Sequence, residues 1–341
     1  MFQPKYTVTG RLLANIKRIA ETVTSLNERR FPAVVLMEME REARDMSAFA
    51  STSIEGNPLP LTDVRRLLKR APANIRDTER EVLNYNAALM DLKRLVDAGG
   101  VSLDNPLILK IHGLVTDGLL PKSSGGRFRR APVFVNDPRA GETVYWPPDQ
   151  QDVERLMAEL ADYLRGQRDE TDPLILAGIF HKQFVLVHPF IDGNGRTVRL
   201  ATKVLLAGLG LDTFNLFSFE RYYNGDVTKY FATVGERGNF YDLRLDFTPW
   251  LEYFTDGILD ELLRVKKELE KATGSAVSGL KEHHRALLNY LDNHGTITDA
   301  IYGGIVKRAR PTRALDFRFL LDQGLLERHG RGRATYYTRK K

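Results

Sequence analysis

One short stretch concentrates the chemistry of this 341-residue chain: His188-Pro189-Phe190-Ile191-Asp192-Gly193-Asn194-Gly195-Arg196-Thr197-Val198-Arg199. An imidazole is followed by a carboxylate, then by two glycines around an asparagine, then by two arginines. His188 titrates near neutrality, which suits it to accept a hydroxyl proton. Asp192 is a hard oxygen ligand, and Mg2+ takes one or two carboxylates together with substrate phosphates. Gly193, Asn194 and Gly195 let backbone N–H groups converge at the start of a helix, where unpaired donors and the dipole favour an anion. Arg196 and Arg199, with Thr197 between them, lie on or next to one helical face, and the guanidinium fork matches phosphate oxygens. A base, a metal carboxylate, an anion cradle and two phosphate arginines fit phosphoryl or nucleotidyl transfer. The chain has no GxxxxGK[ST] loop and lacks the HRD and DFG signatures of protein kinases.

Such a loop needs rigid elements on both sides. Helical periodicity over Leu174–Val187 runs into His188-Pro189, where proline disfavours helical geometry for the residue before it. Gly193-Asn194-Gly195 is a turn, and Arg196–Leu209 reads as the next helix. Upstream, apolar residues recur at helical spacing in Leu12, Leu13, Ile16 and Ile19 and again in Val35, Met37 and Met39. Asn57-Pro58-Leu59-Pro60 is a breaker, with Thr62 as N-cap of a helix over Asp63–Lys69. Thr78–Val96 is a long helix stopped by Ala98-Gly99-Gly100, and Leu107–Leu120 and Val153–Leu164 are helical. Val133-Phe134-Val135 and Thr143-Val144-Tyr145-Trp146 are β-prone runs around a turn at 136–141, which predicts a hairpin. Further helices run to Lys271, and Thr273-Gly274-Ser275 reads as a linker. The expected fold is mainly α.

The last sixty residues have their own logic. Arg285–Asn293, Thr298–Val306 and a helix opened by Pro311 and reaching Asp322 precede a hairpin of Leu325–Arg328 and Ala334–Thr338. From residue 276 onward there are 13 Lys+Arg against 6 Asp+Glu, whereas residues 1–275 carry 37 against 38. The excess positive charge therefore sits entirely in this terminal module, a pattern that points to nucleic acid as a partner. The chain contains no cysteine, which excludes disulfides and thiolate chemistry. It has no apolar run of membrane-spanning length and no signal-peptide pattern at its start, so the expected location is cytoplasmic, with no membrane partner.

The loop at 188–199 resembles the signature of the Fic family, HxFx(D/E)GN(G/K)RxxR, and every specified position matches. The resemblance implies a Fic helical core over 99–272 with the hairpin as its flap, a surface that registers a target backbone by strand addition. It implies a protein adenylyltransferase that moves AMP from ATP, with Mg2+, onto a Ser, Thr or Tyr hydroxyl of a target protein. His188 would be the base and Asp192 the metal ligand. Gly193, Asn194, Gly195, Arg196, Thr197 and Arg199 would hold the nucleotide, and Phe190 would be a buried anchor. Tyr230-Phe231 falls where many relatives have Tyr-Tyr, which implies that Tyr230 contacts the nucleotide base, with Phe231 departing from the pattern. Ser51-Thr52-Ser53-Ile54-Glu55-Gly56-Asn57 resembles the family's inhibitory motif (S/T)xxxE(G/N), which implies that Glu55, in a helical region over 1–98, pairs with Arg199 and holds the site off. The terminal module, 276–341, resembles a winged helix-turn-helix, with Arg308, Arg310 and Arg313 at its recognition helix and Arg331 and Arg333 on its wing. His112 and His181 read as packed histidines, and Tyr222 and Trp250 as core. Left open are removal of AMP rather than transfer, a different nucleotide donor, a DNA-binding regulator whose Fic unit senses nucleotide, and a homodimer.

Overall fold

The computed structural model describes residues 2–29, 31, 33–136, 141–208, 216–278 and 280–340. Contacts divide them into two compact units, 1–25 with 42–263 and 26–41 with 264–341.

The first unit is built on one helix that is apolar on every side. Asp172 caps it, accepting the N–H of Leu174 at 2.8 Å, and Pro173 opens it. This helix, α7 (Pro173–Val187), buries nearly every residue from Leu174 to Val187, the behaviour of a helix with no polar face to give to solvent. The preceding chain supplies α1 (Gly10–Asn27), α2 (Ala33–Ile54), α3 (Leu61–Lys69), α4 (Asp77–Asp97), α5 (Asn105–Val115) and α6 (Val153–Gly166). Helix α8 (Asn194–Gly208) follows the loop at 188–193 and packs on α7, α5 and α4. Helices α9 (Phe219–Gly225), α10 (Val227–Val234) and the long α11 (Thr248–Ser278) as far as residue 263 complete it; residues 26–41, with the end of α1 and the start of α2, belong to the second unit. Trp250 of α11 donates its indole N–H to Gly178 O of α7 at 2.7 Å, so the most voluminous core side chain is also a hydrogen-bonded one.

The hairpin is present in part. Strand β1 (Val135–Asn136) pairs antiparallel with β2 (Thr143–Trp146), with a register shift between Val135 and Asn136, and residues 137–140 of its turn lie outside the described residues. A further strand, β3 (Gly238–Asn239), runs parallel to β2 and closes its other edge. Tyr145 is buried and donates its hydroxyl to Leu186 O at 2.8 Å, tying the sheet to α7.

The second unit contains α12 (Glu282–His294), β4 (Thr296–Ile297), α13 (Asp299–Ile305), α14 (Arg310–Asp322), β5 (Leu326–His329) and β6 (Tyr336–Arg339). Its sheet has the order β4-β6-β5 with both pairings antiparallel. Its core is Leu287, Leu288, Leu291, Ile297, Tyr302, Phe317, Leu320 and Leu326.

Three sequence expectations differ. Thr273-Gly274-Ser275 is not a linker but part of α11, which runs on to Ser278; a lone glycine weakens a helix without ending it. Helix α3 starts at Leu61 after Pro60, so Thr62 lies inside it rather than capping it. The helix expected over Leu107–Leu120 ends at Val115, and Gly118 with φ 67° turns the chain.

Candidate active site

Helix α7 stops at a residue with an unusual backbone. His188 has φ 49° and ψ 60°, the one non-glycine residue with positive φ among the described residues. Its N–H still bonds to Phe184 O at 3.0 Å, but Pro189 forbids another helical turn, and the chain swings out. The His188 Nδ1 lies 3.3 Å from Val185 O. A carbonyl only accepts, so Nδ1 carries the proton and Nε2 is left with its lone pair. Burial lowers the imidazole below the ordinary histidine range; Arg129 lowers it further, while the Val185 carbonyl, Glu55 and Asp192 oppose the shift. The group is therefore a neutral imidazole near pH 7, ready to take a proton.

The loop after His188 is braced from inside. Phe190 is fully buried and stacks on His112 with centroids 3.7 Å apart. His112 Nδ1 accepts the Gly126 N–H at 2.9 Å, so Nε2 is the donor to Asp192 O at 3.0 Å. Burial pushes His112 down to about 4, which keeps that tautomer neutral. The side-chain amide of Asn194 is spent on the loop: it accepts from Phe190 N at 2.9 Å and donates to Phe190 O at 2.8 Å. What Asn194 offers an anion is its backbone N–H in the first turn of α8, together with those of Gly195 and Arg196; Thr197 N, bonded to Gly193 O at 2.9 Å, begins the helical ladder. Gly193 has φ 76°, and a Cβ there would come within 2.8 Å of Thr116 Cγ2, so the turn admits only glycine.

The charged side chains converge on this helix start. Asp192 is 57% exposed and meets Arg196 Nη2 at 3.2 Å through both oxygens. Arg196, itself buried, also lies 3.2 Å from Glu81 of α4. Arg199 is fully buried: its Nε donates to Ser51 Oγ at 2.8 Å, and its Nη2 to Ser51 O at 2.8 Å and Glu55 Oε1 at 2.7 Å. Burial alone would lower the Arg199 pKa, but the Glu55 carboxylate, together with Tyr230 and Tyr85, outweighs it and the guanidinium stays charged. The Glu55 carboxylate also lies over Gly195, where an added Cβ would collide with Oε1. One carboxylate therefore neutralises the last arginine and covers the glycine of the anion cradle.

Helix α2 is held in that position by a repeat one turn long. Ser47, Ser51 and Glu55 fall at four-residue steps and face Lys203 and Arg199 of α8, also four apart. Lys203 pairs at 3.2 Å with Glu220, and both are buried. The Glu220 carboxylate in turn accepts from Tyr85 at 2.8 Å and Ser218 at 2.8 Å. A buried pair is tolerated when its remaining lone pairs are satisfied in this way.

Two residues expected to touch nucleotide are buried. Tyr230 is 1% exposed; its hydroxyl meets His181 Nε2 at 3.1 Å and its ring stacks on Tyr223 at 4.6 Å. The exposed aromatic of that helix is its neighbour Phe231. Thr197 is fully buried in α8. Conversely, Arg129 and Glu81 were not singled out from the sequence. Arg129 sits in the run Arg127-Phe128-Arg129-Arg130, which reads as a solvated basic patch, yet it is 3% exposed. No sequence signal marks which of these arginines turns inward. Glu81 accepts Asn57 Nδ2 at 2.8 Å, linking the segment after α2 to Arg196.

Comparison with known proteins places this geometry. The Fic/DOC family model matches residues 102–206. The protein adenylyltransferase Fic of Drosophila melanogaster is 30% identical over 218 residues, which is 58% of this chain and 42% of the Drosophila protein; its Drosophila sechellia counterpart gives the same figures. The chain thus spans about two fifths of the length of the curated relatives it matches. Among solved structures, a Fic family protein from Desulfovibrio desulfuricans superposes with a TM-score of 0.66 at 22% identity, covering 99% of this chain and 98% of that one. A Fic domain-containing signaling protein from Bacteroides thetaiotaomicron gives 0.59 at 18% identity, covering 75% and 97%.

Proposed function

We propose that the chain, whose residues 102–206 match the Fic/DOC family model, is a protein adenylyltransferase, moving AMP from ATP to a Ser, Thr or Tyr hydroxyl and held off by Glu55. The observation that carries this reading is the pairing of a neutral His188, its proton fixed on Nδ1 by Val185 O, with an α8 start whose arginine is taken by Glu55. The name shared by the curated relatives supports the same reaction.

In the forward step the target hydroxyl gives its proton to His188 Nε2 while its oxygen attacks the α-phosphorus. The new P–O bond replaces the bond to the β-phosphate oxygen, and pyrophosphate leaves. The N–H groups at the start of α8 and the guanidinium of Arg196 face charge that builds up there, the type of preorganised stabilisation that lowers barriers most. Arg199 joins them once Glu55 departs. The half-exposed carboxylate of Asp192, a hard oxygen donor beside that cradle, fits Mg2+; the ion, when bound, neutralises and orients phosphate oxygens. Nothing in the geometry reads the base, so the donor is assigned by the relatives' name alone.

For the second unit we propose a winged helix: α12, β4, α13, α14 and the β5–β6 hairpin follow that element order. Its expected recognition arginines are engaged, however. Arg313 forms two bonds of 2.9 Å with Asp299, Arg310 lies 3.6 Å from the same carboxylate, and Arg308 lies 2.9 Å from Asp316.

The reaction is tested by intact-mass spectrometry of the Glu55→Gly protein after incubation with ATP and Mg2+. The expected result is a gain of one AMP, faster than wild type by roughly tenfold or more, and lost in Glu55→Gly/His188→Ala. No gain with any nucleoside triphosphate overturns the transferase reading; equal gain in wild type overturns the brake.

A further inference from the structure

The backbone of His188 is in a conformation that its side chain does not favour, so something else must hold it. The residue that does so is Arg129. Its Nε donates to His188 O at 2.8 Å, Nη2 to Pro148 O at 2.5 Å and to Val187 O at 3.4 Å, and Nη1 to Ala131 O at 3.2 Å. Its own backbone N–H donates to Pro189 O at 2.9 Å. The residue therefore grips the chain at 187, 188 and 189, the three carbonyls around the reversal. It also ties them to Pro148, just after strand β2 of the hairpin sheet.

We propose that Arg129 is a positioning residue: it locks His188 in the left-handed conformation that aims the imidazole, and joins the hairpin base to the base-bearing loop. This rests on the transferase reading of the site. Two other roles do not fit. A recognition arginine must be exposed, and Arg129 is 3% exposed. A phosphate arginine must keep donors free, whereas the Arg129 fork is committed to main-chain oxygens. Among the described residues it forms no ion pair. Burial lowers the Arg129 pKa, and charge-assisted bonds to carbonyls, together with the more distant Asp149 carboxylate, offset that cost. Such a cost is hard to account for if the residue merely fills space, since an apolar side chain of that length would do so without it.

The guanidinium shape is what the role demands. Lysine keeps the charge but offers one ammonium on a flexible stem, which cannot span the carbonyls of His188, Pro148 and Ala131 together. Glutamine loses both charge and fork. Each replacement therefore reports something different. The groups acting on the His188 titration are the Val185 carbonyl, Arg129, Glu55 and Asp192, of which Arg129 alone is a cation. A nearby cation disfavours imidazolium; removing it raises the histidine pKa, so the base form is lost at a higher pH. Removing only the fork leaves that pH unchanged.

The experiment uses full-length Glu55→Gly protein with Arg129→Lys or Arg129→Gln added. Both are expected to lower kcat by about ten- to a hundredfold while KM for ATP stays within about twofold, since no nucleotide contact is removed. The acid limb of the pH–rate profile stays in place for Arg129→Lys and moves to higher pH for Arg129→Gln. NMR titration of the His188 ring protons reads the same shift without turnover. Millimolar guanidinium is expected to restore part of the kcat of Arg129→Ala. Unchanged kcat in both variants, or losses confined to KM, would overturn the proposal. A parent Glu55→Gly protein that transfers nothing counts against the transferase reading instead, and the NMR titration then decides on Arg129 by itself: an unmoved His188 pKa in Arg129→Gln overturns it.

Discussion

The proton on Nδ1 of His188 decides what this residue can do. Bonded to Val185 O, it leaves Nε2 as the only basic nitrogen, and burial makes the imidazolium costly. For a histidine with a lowered pKa the neutral form is the native form, so stability associated with it is present at neutral pH and is lost as pH falls. The same sign governs rate. In the Glu55→Gly protein, kcat/KM is expected to be flat from neutral pH upward and to decline only below the ordinary histidine value of about 6.5. An acid limb centred at or above that value would show that His188 is not the base as placed. That His188, Asp192, Arg196 and Arg199 gather at one loop was legible in the sequence because they sit in one contiguous string. Arg129 and Glu81 were not, because their roles come from main-chain oxygens and from a neighbour more than a hundred residues away. Asn194 falls between: its position was legible, but not that its amide closes on Phe190.

At the level of elements, the contact that matters is the four-residue step shared by α2 and α8. Ser47 and Ser51 on one helix, Lys203 and Arg199 on the other, make the contact between α2 and α8 a ladder rather than a single bond. The loop between α7 and α8 is braced differently, by one amide. Asn194→Ala removes both of its bonds to Phe190 and leaves a buried N–H and C=O unpaired, each worth about 1–3 kcal/mol. Urea unfolding followed by tryptophan fluorescence is expected to show destabilisation in that range; a midpoint within error of wild type would mean that the loop holds its shape without the clamp. Helices α7 and α8 were legible from periodicity to within a turn, since both are long and buried along most of their length. Strands β3 and β4 were not, since two residues carry no alternation that a sequence can display. The supposed linker at 273–275 failed because small polar residues look alike in a loop and on a helix.

Across the whole molecule, charge and packing divide differently. The basic excess starts at residue 276, yet the second compact unit also takes in residues 26–41 and 264–275. No helix among the described residues is long and apolar enough to cross a membrane. Within the second unit, Asp299 holds Arg310 and Arg313. If that face meets duplex DNA, Asp299→Asn is expected to release both arginines and tighten binding several-fold at about 50 mM salt, with a steeper salt dependence. Titration of a short fluorescent duplex measures this. No binding by either protein at low salt would count against a DNA partner for the second unit. The composition of the module was legible, but the acidic partners of its arginines were visible only once the helices were folded.

The carboxylate lying on Gly195 and Arg199 has a further meaning when expressed as mass action. Under the proposed function, Glu55 is a competitor that never diffuses away, so its local concentration is set by the chain and is untouched by dilution. The apparent dissociation constant for productive ATP is the intrinsic one divided by the fraction of molecules whose carboxylate is elsewhere. A molecule open one time in a hundred therefore binds about a hundredfold more weakly, about 2.7 kcal/mol, with every contact to the nucleotide intact. Any event that doubles the open fraction doubles the occupancy at low ATP. The chain thereby converts a small displacement of one helix end into a proportional reading of nucleotide supply.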